Sequence, residues 1–314
     1  MIRIGDPGPQ TTVQDLGRPG QLRYGIPPSG PVDVRAFVIA NRLAGNPDGA
    51  AGLECTLLGP RFTVDAACAI AVTGAEAPVT VNGEPAPSWT TLPLAPGDTV
   101  RVAAARAGVR AYVAFSGGLD VPMTLGSRAT YLRGRLGGVE GRALKRDDVL
   151  RLFPAPPPAV RRLAAPDLPA LEAEPEIRVV LGPQADRFTG EGIAAFLAGP
   201  YEMLPQSDRM GARLAGPRID HARGHDIISD GIALGSVQVP GDGQPIVLLV
   251  DRQSTGGYTK VATVGSFDIA RIGQVKPGQR VRFRAVDVSE AHRLRRSWEA
   301  ALAGALGGPI AAAA

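Results

Sequence analysis

Short runs in which apolar and polar residues alternate recur along most of the chain, and a period of two is the signature of strands with one buried face. The alternation predicts strands at Phe62–Val64, Ala69–Val72, Val79–Val81, Thr99–Ala103 and Arg110–Phe115 in the first half, and at Ile177–Leu181, Ile246–Val250, Val261–Val264 and Val281–Val286 in the second. Asn82-Gly83, set between alternating residues, predicts a tight hairpin turn. Helical spacing is rarer. Val34–Leu43 carries it, with Asp33 as the expected cap and Gly45-Asn46-Pro47 as the stop. Glu191–Ala198 predicts a short helix. Ser289–Leu306 predicts a C-terminal one capped by Ser289, with the last alanines a frayed tail.

The pattern also divides the chain. Residues 154–175 are rich in Pro and Ala and follow neither period. The expected organisation is a β unit over 1–155, a linker over 156–175, a second β unit over 176–288, and a helix and tail over 289–314. The halves echo each other weakly. Leu94–Val102 resembles Val275–Phe283, each a Pro-Gly turn feeding a strand, and Gly8-Pro9-Gln10 is repeated as Gly182-Pro183-Gln184.

Composition narrows the class. Of 314 residues, 44% are hydrophobic and 20% charged, the balance of a soluble globular chain, and aromatics at 5% leave the core to Val, Leu, Ile and Ala. The net charge is +4, but only Lys145, Lys260 and Lys276 are lysines, and the arginines are interleaved with acids apart from the loose cluster Arg293, Arg295 and Arg296. No phosphate-tracking groove is expected from that spacing, so nucleic acid is not an expected partner. No apolar stretch reaches the roughly 18 residues needed to span a bilayer. Met1–Ile4 opens directly into a strand pattern with no leader-like segment. Cys55 and Cys68 lie in apolar, strand-like surroundings, as buried thiols in a reducing compartment would. A cytoplasmic location is the expectation.

Five glycine-bounded segments hold most of the chemistry: 11–20, 25–33, 206–211, 228–240 and 251–260. The last, Asp251-Arg252-Gln253-Ser254-Thr255-Gly256-Gly257-Tyr258-Thr259-Lys260, follows an apolar run and is too polar for a core, although a solvated hairpin would read the same way. There is no G-x-x-x-x-G-K-[ST] phosphate loop, no G-x-S-x-G elbow and no H-E-x-x-H. His221 and His225 would need a third ligand, Asp220 or Asp226, to hold zinc; a surface turn is the expected reading, and no metal site is assigned.

These segments carry a resemblance. Gly8–Gly20 (GPQTTVQDLGRPG), Gly25–Asp33 (GIPPSGPVD), Leu53–Pro60 (LECTLLGP), Ser207–Gly216 (SDRMGARLAG), Gly235–Leu249 and Asp251–Lys260 occur in the order found in the allophanate hydrolase subunit 2, or biotin-dependent carboxyltransferase-like, family, which the chain resembles over about residues 1–285. The resemblance implies a mainly β fold with a few helices: two cyclophilin-like β-barrel units with a cleft between them. It is most like those members that form the 5-oxoprolinase C-subunit. This implies an ATP-dependent hydrolysis of 5-oxo-L-proline to L-glutamate by a complex with a B-subunit-like (allophanate hydrolase subunit 1-like) protein and an A-subunit-like protein. ATP, with magnesium, is then expected on the complex rather than on this chain alone. Two other readings stay open: a carboxyltransferase using biotin carried by a partner, and a regulatory binding protein without catalysis.

A lactam carbonyl is a poor electrophile, so its opening calls for cationic or N–H donors at the developing oxyanion and for a general base. Arg18, Arg209 and Lys260 could supply cations, and Asp15 or Asp230 the base. Gln14, Gln238 and Gln253 match a lactam edge, which offers one donor and one acceptor. Ser29, Thr255 and Tyr258 complete the expected substrate-binding set. Arg209→Ala or Gln253→Ala is expected to lower turnover and leave the fold intact.

Overall fold

The computed structural model describes residues 1–156, 158–164 and 169–307. Part of the Pro/Ala-rich linker and the terminal alanines therefore lie outside the described residues. The chain divides into two compact units, one of Met1–Arg18, Ser29–Leu171 and Ala301–Ala314, the other of Pro19–Pro28 and Glu172–Ala300. Residues 19–28, expected in the first unit, group with the second.

The first unit holds β1 (Ile2–Asp6), β2 (Thr11–Gln14), α1 (Val34–Leu43), β3 (Gly52–Thr56), β4 (Arg61–Val64), β5 (Cys68–Glu76), β6 (Val79–Val81), β7 (Glu84–Ala86), β8 (Leu92–Leu94), β9 (Thr99–Val102), β10 (Ala107–Phe115), β11 (Leu119–Asp120) and β12 (Val149–Leu152). They form two sheets, β11-β12-β1-β4-β9-β6-β7 and β2-β3-β10-β5-β8, rather than a closed barrel. The period-two pattern explains the layering. On β5 and β10, Ile70, Val72, Ala111, Val113 and Phe115 enter the core shared with Ile2, Ile4, Phe62 and Val100 of the other sheet. The intervening Ala71, Tyr112 and Ala114 point into a second core with Phe37, Ala40 and Leu43 of α1. Small residues there let the helix approach closely, and Phe37 meets Tyr112 edge to face at 6.0 Å.

Sequence signals set the local elements. Asp33 caps α1 by accepting from Ala36 N–H at 3.0 Å. Asn82 and Gly83, with φ of 54° and 90°, form the hairpin turn between β6 and β7. The lead-in to α1 is pinned by Glu54, whose Oε2 accepts from Val32 N–H at 3.0 Å and Tyr112 O–H at 2.9 Å. Burial and this carboxylate push the Tyr112 phenol well above its ordinary pKa.

The second unit holds β13 (Glu176–Leu181), α2 (Gly190–Ala198), β14 (Tyr201–Met203), β15 (Gly211–Ala215), β16 (Asp226–Gly231), β17 (Ser236–Gln238), β18 (Ile246–Leu248), β19 (Thr255–Tyr258), β20 (Lys260–Val264), α3 (Ile269–Gly273), β21 (Arg280–Ala285) and most of α4 (Val288–Gly304). Seven strands close into a barrel in the order β13-β20-β17-β18-β15-β14-β21, and β16 and β19 form a separate two-stranded ribbon. Alternating residues such as Ile177, Val179, Val237, Val239, Val281 and Phe283 fill the barrel. Phe196 of α2 stacks on Phe283 at 4.5 Å. The cap of α4 is Asp287, which accepts from Glu290 N–H at 2.7 Å, and not the expected Ser289, which lies inside the helix. Asp, placed three residues before the N–H it accepts, outcompetes a serine sited past the helix start.

Candidate functional site

Three elements of the second unit place polar groups together: β17, β20 and the β16–β19 ribbon. Gln238 ends β17 opposite Lys260 at the start of β20, and opposed residues share a face of the sheet. On the ribbon, Asp230 opposes Gly256. Lys260 is 2% exposed, and its Nζ donates to Asp230 Oδ2 at 3.1 Å, while the Asp230 side chain is 54% exposed. The hydrogen bond from Lys260, then the Gly231 N–H, holds the Asp230 carboxyl below the usual carboxylate range. A carboxylate so held is a weaker base, and its geometry is that of a counter-ion for Lys260 rather than of the general base expected from sequence.

Gln184 belongs to the same cluster. Its Oε1 accepts from the Lys260 N–H at 3.1 Å, its own backbone N–H donates to the Lys260 carbonyl at 3.2 Å, and its side chain also bonds Asp230. Sequence reasoning gave it no role; the available signal was the repeated Gly-Pro-Gln triplet.

Gln238 is 2% exposed, and its Oε1 accepts from Gln253 Nε2 at 3.3 Å. Its Nε2 is buried and has no hydrogen-bond partner among the described residues. A Cβ on Gly256 would lie 2.7 Å from that nitrogen, so glycine is what admits the amide here. Thr255 and Tyr258 lie exposed on the ribbon, opposite Gly231 and Asp226. Tyr258 faces His225 at 6.4 Å between ring centroids. His221 Nε2 lies 3.1 Å from both the Val239 carbonyl and Thr259 Oγ1, and burial lowers its pKa. Among the described residues no group of three or more His, Cys, Asp or Glu side chains is placed to hold a metal ion.

Arg209 is in a different situation. Its Nε and Nη2 donate to Asp251 Oδ2 and Oδ1 at 2.8 and 3.2 Å, with both side chains 5% exposed. Its charge is matched by a buried partner, so the structure makes it a clamp between the β15 and β18 ends. Its removal would strand the buried Asp251 carboxylate, so a loss of stability is expected beside any loss of turnover.

The remaining expected residues lie in the first unit. Gln14 donates to Thr12 Oγ1 at 3.0 Å and the Thr130 carbonyl at 3.2 Å, and accepts from Gly30 N–H at 3.2 Å. Asp15 accepts from Gly17 N–H, Ser127 O–H and Arg128 N–H at 2.9, 2.5 and 2.6 Å. Arg18 donates to the Ala129 and Thr124 carbonyls. These side chains anchor the long irregular segment between β11 and β12, and Asp15's oxygens are engaged in that task rather than poised as a base. Ser29 sits at φ 57°, 5% exposed, with its hydroxyl unpartnered among the described residues.

With this geometry in view, comparison with known proteins defines the class. The model of the carboxyltransferase domain, subdomain A and B, matches residues 24–285. The chain belongs to that family, of the allophanate hydrolase subunit 2 type. It is 36% identical to the 5-oxoprolinase C-subunit of Escherichia coli, covering 94% of each chain. It is 35% identical to the urea amidolyase of Lachancea kluyveri over 96% of its own length but 18% of the relative's. The crystal structure of the K. lactis urea amidolyase superposes with a TM-score of 0.92 at 33% identity, covering 96% of this chain and 20% of that one. The chain thus spans under a fifth of the curated urea amidolyase relatives it matches and nearly all of the 5-oxoprolinase relative. Its homologues are components of complexes or domains of multidomain enzymes.

Proposed function

We propose that this chain is one component of a cytoplasmic, ATP-dependent 5-oxoprolinase that opens 5-oxo-L-proline to L-glutamate together with A-subunit-like and B-subunit-like proteins. The observation that carries this reading is the buried, unpartnered Gln238 Nε2 opposite Lys260: one amide donor and one cation on a shared face, which is what a lactam carbonyl gaining negative charge requires. The near end-to-end match to the 5-oxoprolinase C-subunit supports it further. ATP and its magnesium are assigned to the complex rather than to this chain alone; the chain has no G-x-x-x-x-G-K-[ST] loop and would have to contact a nucleotide through another design.

In this reading Gln238 donates Nε2–H to the lactam oxygen, while Gln253 fixes the amide's orientation by occupying Oε1. Lys260 supplies positive charge as the oxyanion develops. Asp230 accepts from Lys260 Nζ and fixes where it lies, and Gln184 bonds both residues. Thr255 and Tyr258 line the exposed ribbon beside them.

The test is ATP-dependent release of glutamate from 5-oxoproline by the complex reconstituted with wild-type or Lys260→Met chain. Turnover by the wild-type complex and its loss in the variant is expected; a variant complex with wild-type turnover refutes the assignment. The likeness to urea amidolyase favours a second reading, carboxyl transfer from biotin on a partner. That reading predicts a biotinylated protein in the purified complex and urea-dependent ATP hydrolysis instead.

A further inference from the structure

Arg252 stands in the turn after β18 and is 6% exposed. Its Nε donates to the Ile232 carbonyl at 3.0 Å and its Nη1 to the Leu249 carbonyl at 3.4 Å. Neither acceptor is an anion, and among the described residues no carboxylate pairs with it, whereas the neighbouring Arg209 and Lys260 each have one. Its Nη2 makes no hydrogen bond within the described residues. Burial pulls its guanidinium pKa below the ordinary value. An arginine nevertheless stays charged at any ordinary pH, so it cannot escape the cost of desolvation by losing its proton. No Arg252 atom is among the fully buried unpartnered ones, so Nη2 is open to solvent or to an anion from outside the chain, and the planar fork favours a carboxylate.

Gln238 provides the second, independent observation. Its Nε2 is fully buried without a partner among the described residues. The two unmet donors are linked by short routes. Gln253, adjacent to Arg252, donates to Gln238 Oε1. Ile232, whose carbonyl receives Arg252 Nε, brings its side chain to 3.2 Å from the Gly256 Cβ position, the same position that lies 2.7 Å from Gln238 Nε2.

We infer that Arg252 is the specificity-determining residue of this site: it takes the carboxylate of a small carboxylated amide whose amide oxygen is received by Gln238 Nε2. The inference rests on the 5-oxoprolinase reading and narrows it, because a neutral molecule such as urea has no carboxylate to match the Arg252 charge.

The test titrates the intact chain calorimetrically with 5-oxo-L-proline, with 2-pyrrolidinone (the same ring without the carboxylate) and with inorganic phosphate. Wild type, Arg252→Met and Arg252→Lys are compared, each checked for a native melting transition. Wild type is expected to bind 5-oxoproline about tenfold or more tighter than 2-pyrrolidinone. In Arg252→Met the two affinities converge, and Arg252→Lys recovers part of the difference. Equal binding of both lactams by wild type, no binding of either, undiminished 5-oxoproline binding by Arg252→Met, or phosphate binding in preference to 5-oxoproline each overturns the inference. The broader reading fails separately. A reconstituted complex that releases no glutamate removes the function and leaves the carboxylate site standing, while full turnover with an unchanged KM in Arg252→Met does the reverse.

Discussion

The Arg209–Asp251 pair offers the sharpest separation of structural from chemical roles. Both side chains are 5% exposed and joined by two hydrogen bonds, so solvent screens their attraction little. Asp251→Ala removes the buried carboxylate that Arg209 donates to twice, and Arg209→Met leaves a buried carboxylate. Each is expected to cost about 3–5 kcal/mol, the range for breaking a buried pair from one side. For a domain of this size that lowers the melting temperature by on the order of 10 °C. Replacing both partners at once, as Arg209→Met with Asp251→Leu, removes both desolvation penalties with the attraction and is expected to return stability to within about 1–2 kcal/mol of wild type. Guanidinium denaturation followed by circular dichroism, with calorimetry for the melting temperature, measures all four corners of the cycle. Turnover per folded molecule in the reconstituted complex should survive in the double variant. A single variant that costs less than about 1 kcal/mol, or a double variant that folds normally yet is inactive, would refute the clamp and return Arg209 to the chemistry.

Other consequences are equally direct. Gly256→Ala places a methyl group 2.7 Å from Gln238 Nε2, so it should raise KM for the lactam several-fold with a smaller effect on melting temperature; an unchanged KM counts against Gln238 as a ligand. The Asp230 carboxyl is held below its unfolded-state value of about 3.9, so the pair's contribution is complete above that pH and is lost as pH falls from there through the folded value. The stability difference between wild type and Asp230→Asn should therefore be flat from neutral pH to about pH 5 and shrink below about pH 4; a difference that disappears near pH 6 contradicts the assignment. Burial pushes the Cys55 thiol up to about 12, so it should resist alkylation at about pH 8 in the native chain and react on unfolding. Rapid native labelling at Cys55 would show that its core opens.

Much of the fold was legible because local signals agreed with tertiary ones. The Asp33 cap, the Val34–Leu43 helix and the Asn82-Gly83 hairpin each need only neighbours in sequence, and each is found as expected. Barrel closure was not legible from periodicity: β13 pairs with β20 and β21, both distant in sequence, and the pattern says which face is buried without saying which strands meet. The candidate site was legible as polar segments but not as pairs. The polar segment 251–260 stood out, yet composition could not separate Asp251, which neutralises Arg209, from Asp230, which reaches Lys260. Gln14, Asp15 and Arg18 read ambiguously for a physical reason. An amide, a carboxylate and a guanidinium serve a long irregular segment as well as they serve a substrate, and here they bind the backbone at Gly30, Arg128, Ala129 and Thr130.

Three buried cations of the second unit, Arg209, Lys260 and Arg252, sort themselves by how their charge is met. Arg209 is matched twice by a buried carboxylate, and any ligand competing for it would have to break two bonds and strand Asp251 away from water. Lys260 is matched once, by a carboxylate whose other side faces solvent. A developing oxyanion can therefore draw the ammonium away, because Asp230 regains water as it loses Lys260. Among the described residues Arg252 is met only by carbonyl oxygens. The order from locked, to exchangeable, to unmet separates scaffold, charge stabilisation and ligand binding. It also predicts graded salt sensitivity: of the three, the Arg252-dependent preference for the carboxylated lactam should respond most to added chloride or acetate, the Lys260–Asp230 pair less, and the Arg209–Asp251 coupling least. Affinity for 5-oxoproline that stays constant from low to molar acetate, while the Arg209–Asp251 coupling collapses, would invert that order and the roles drawn from it.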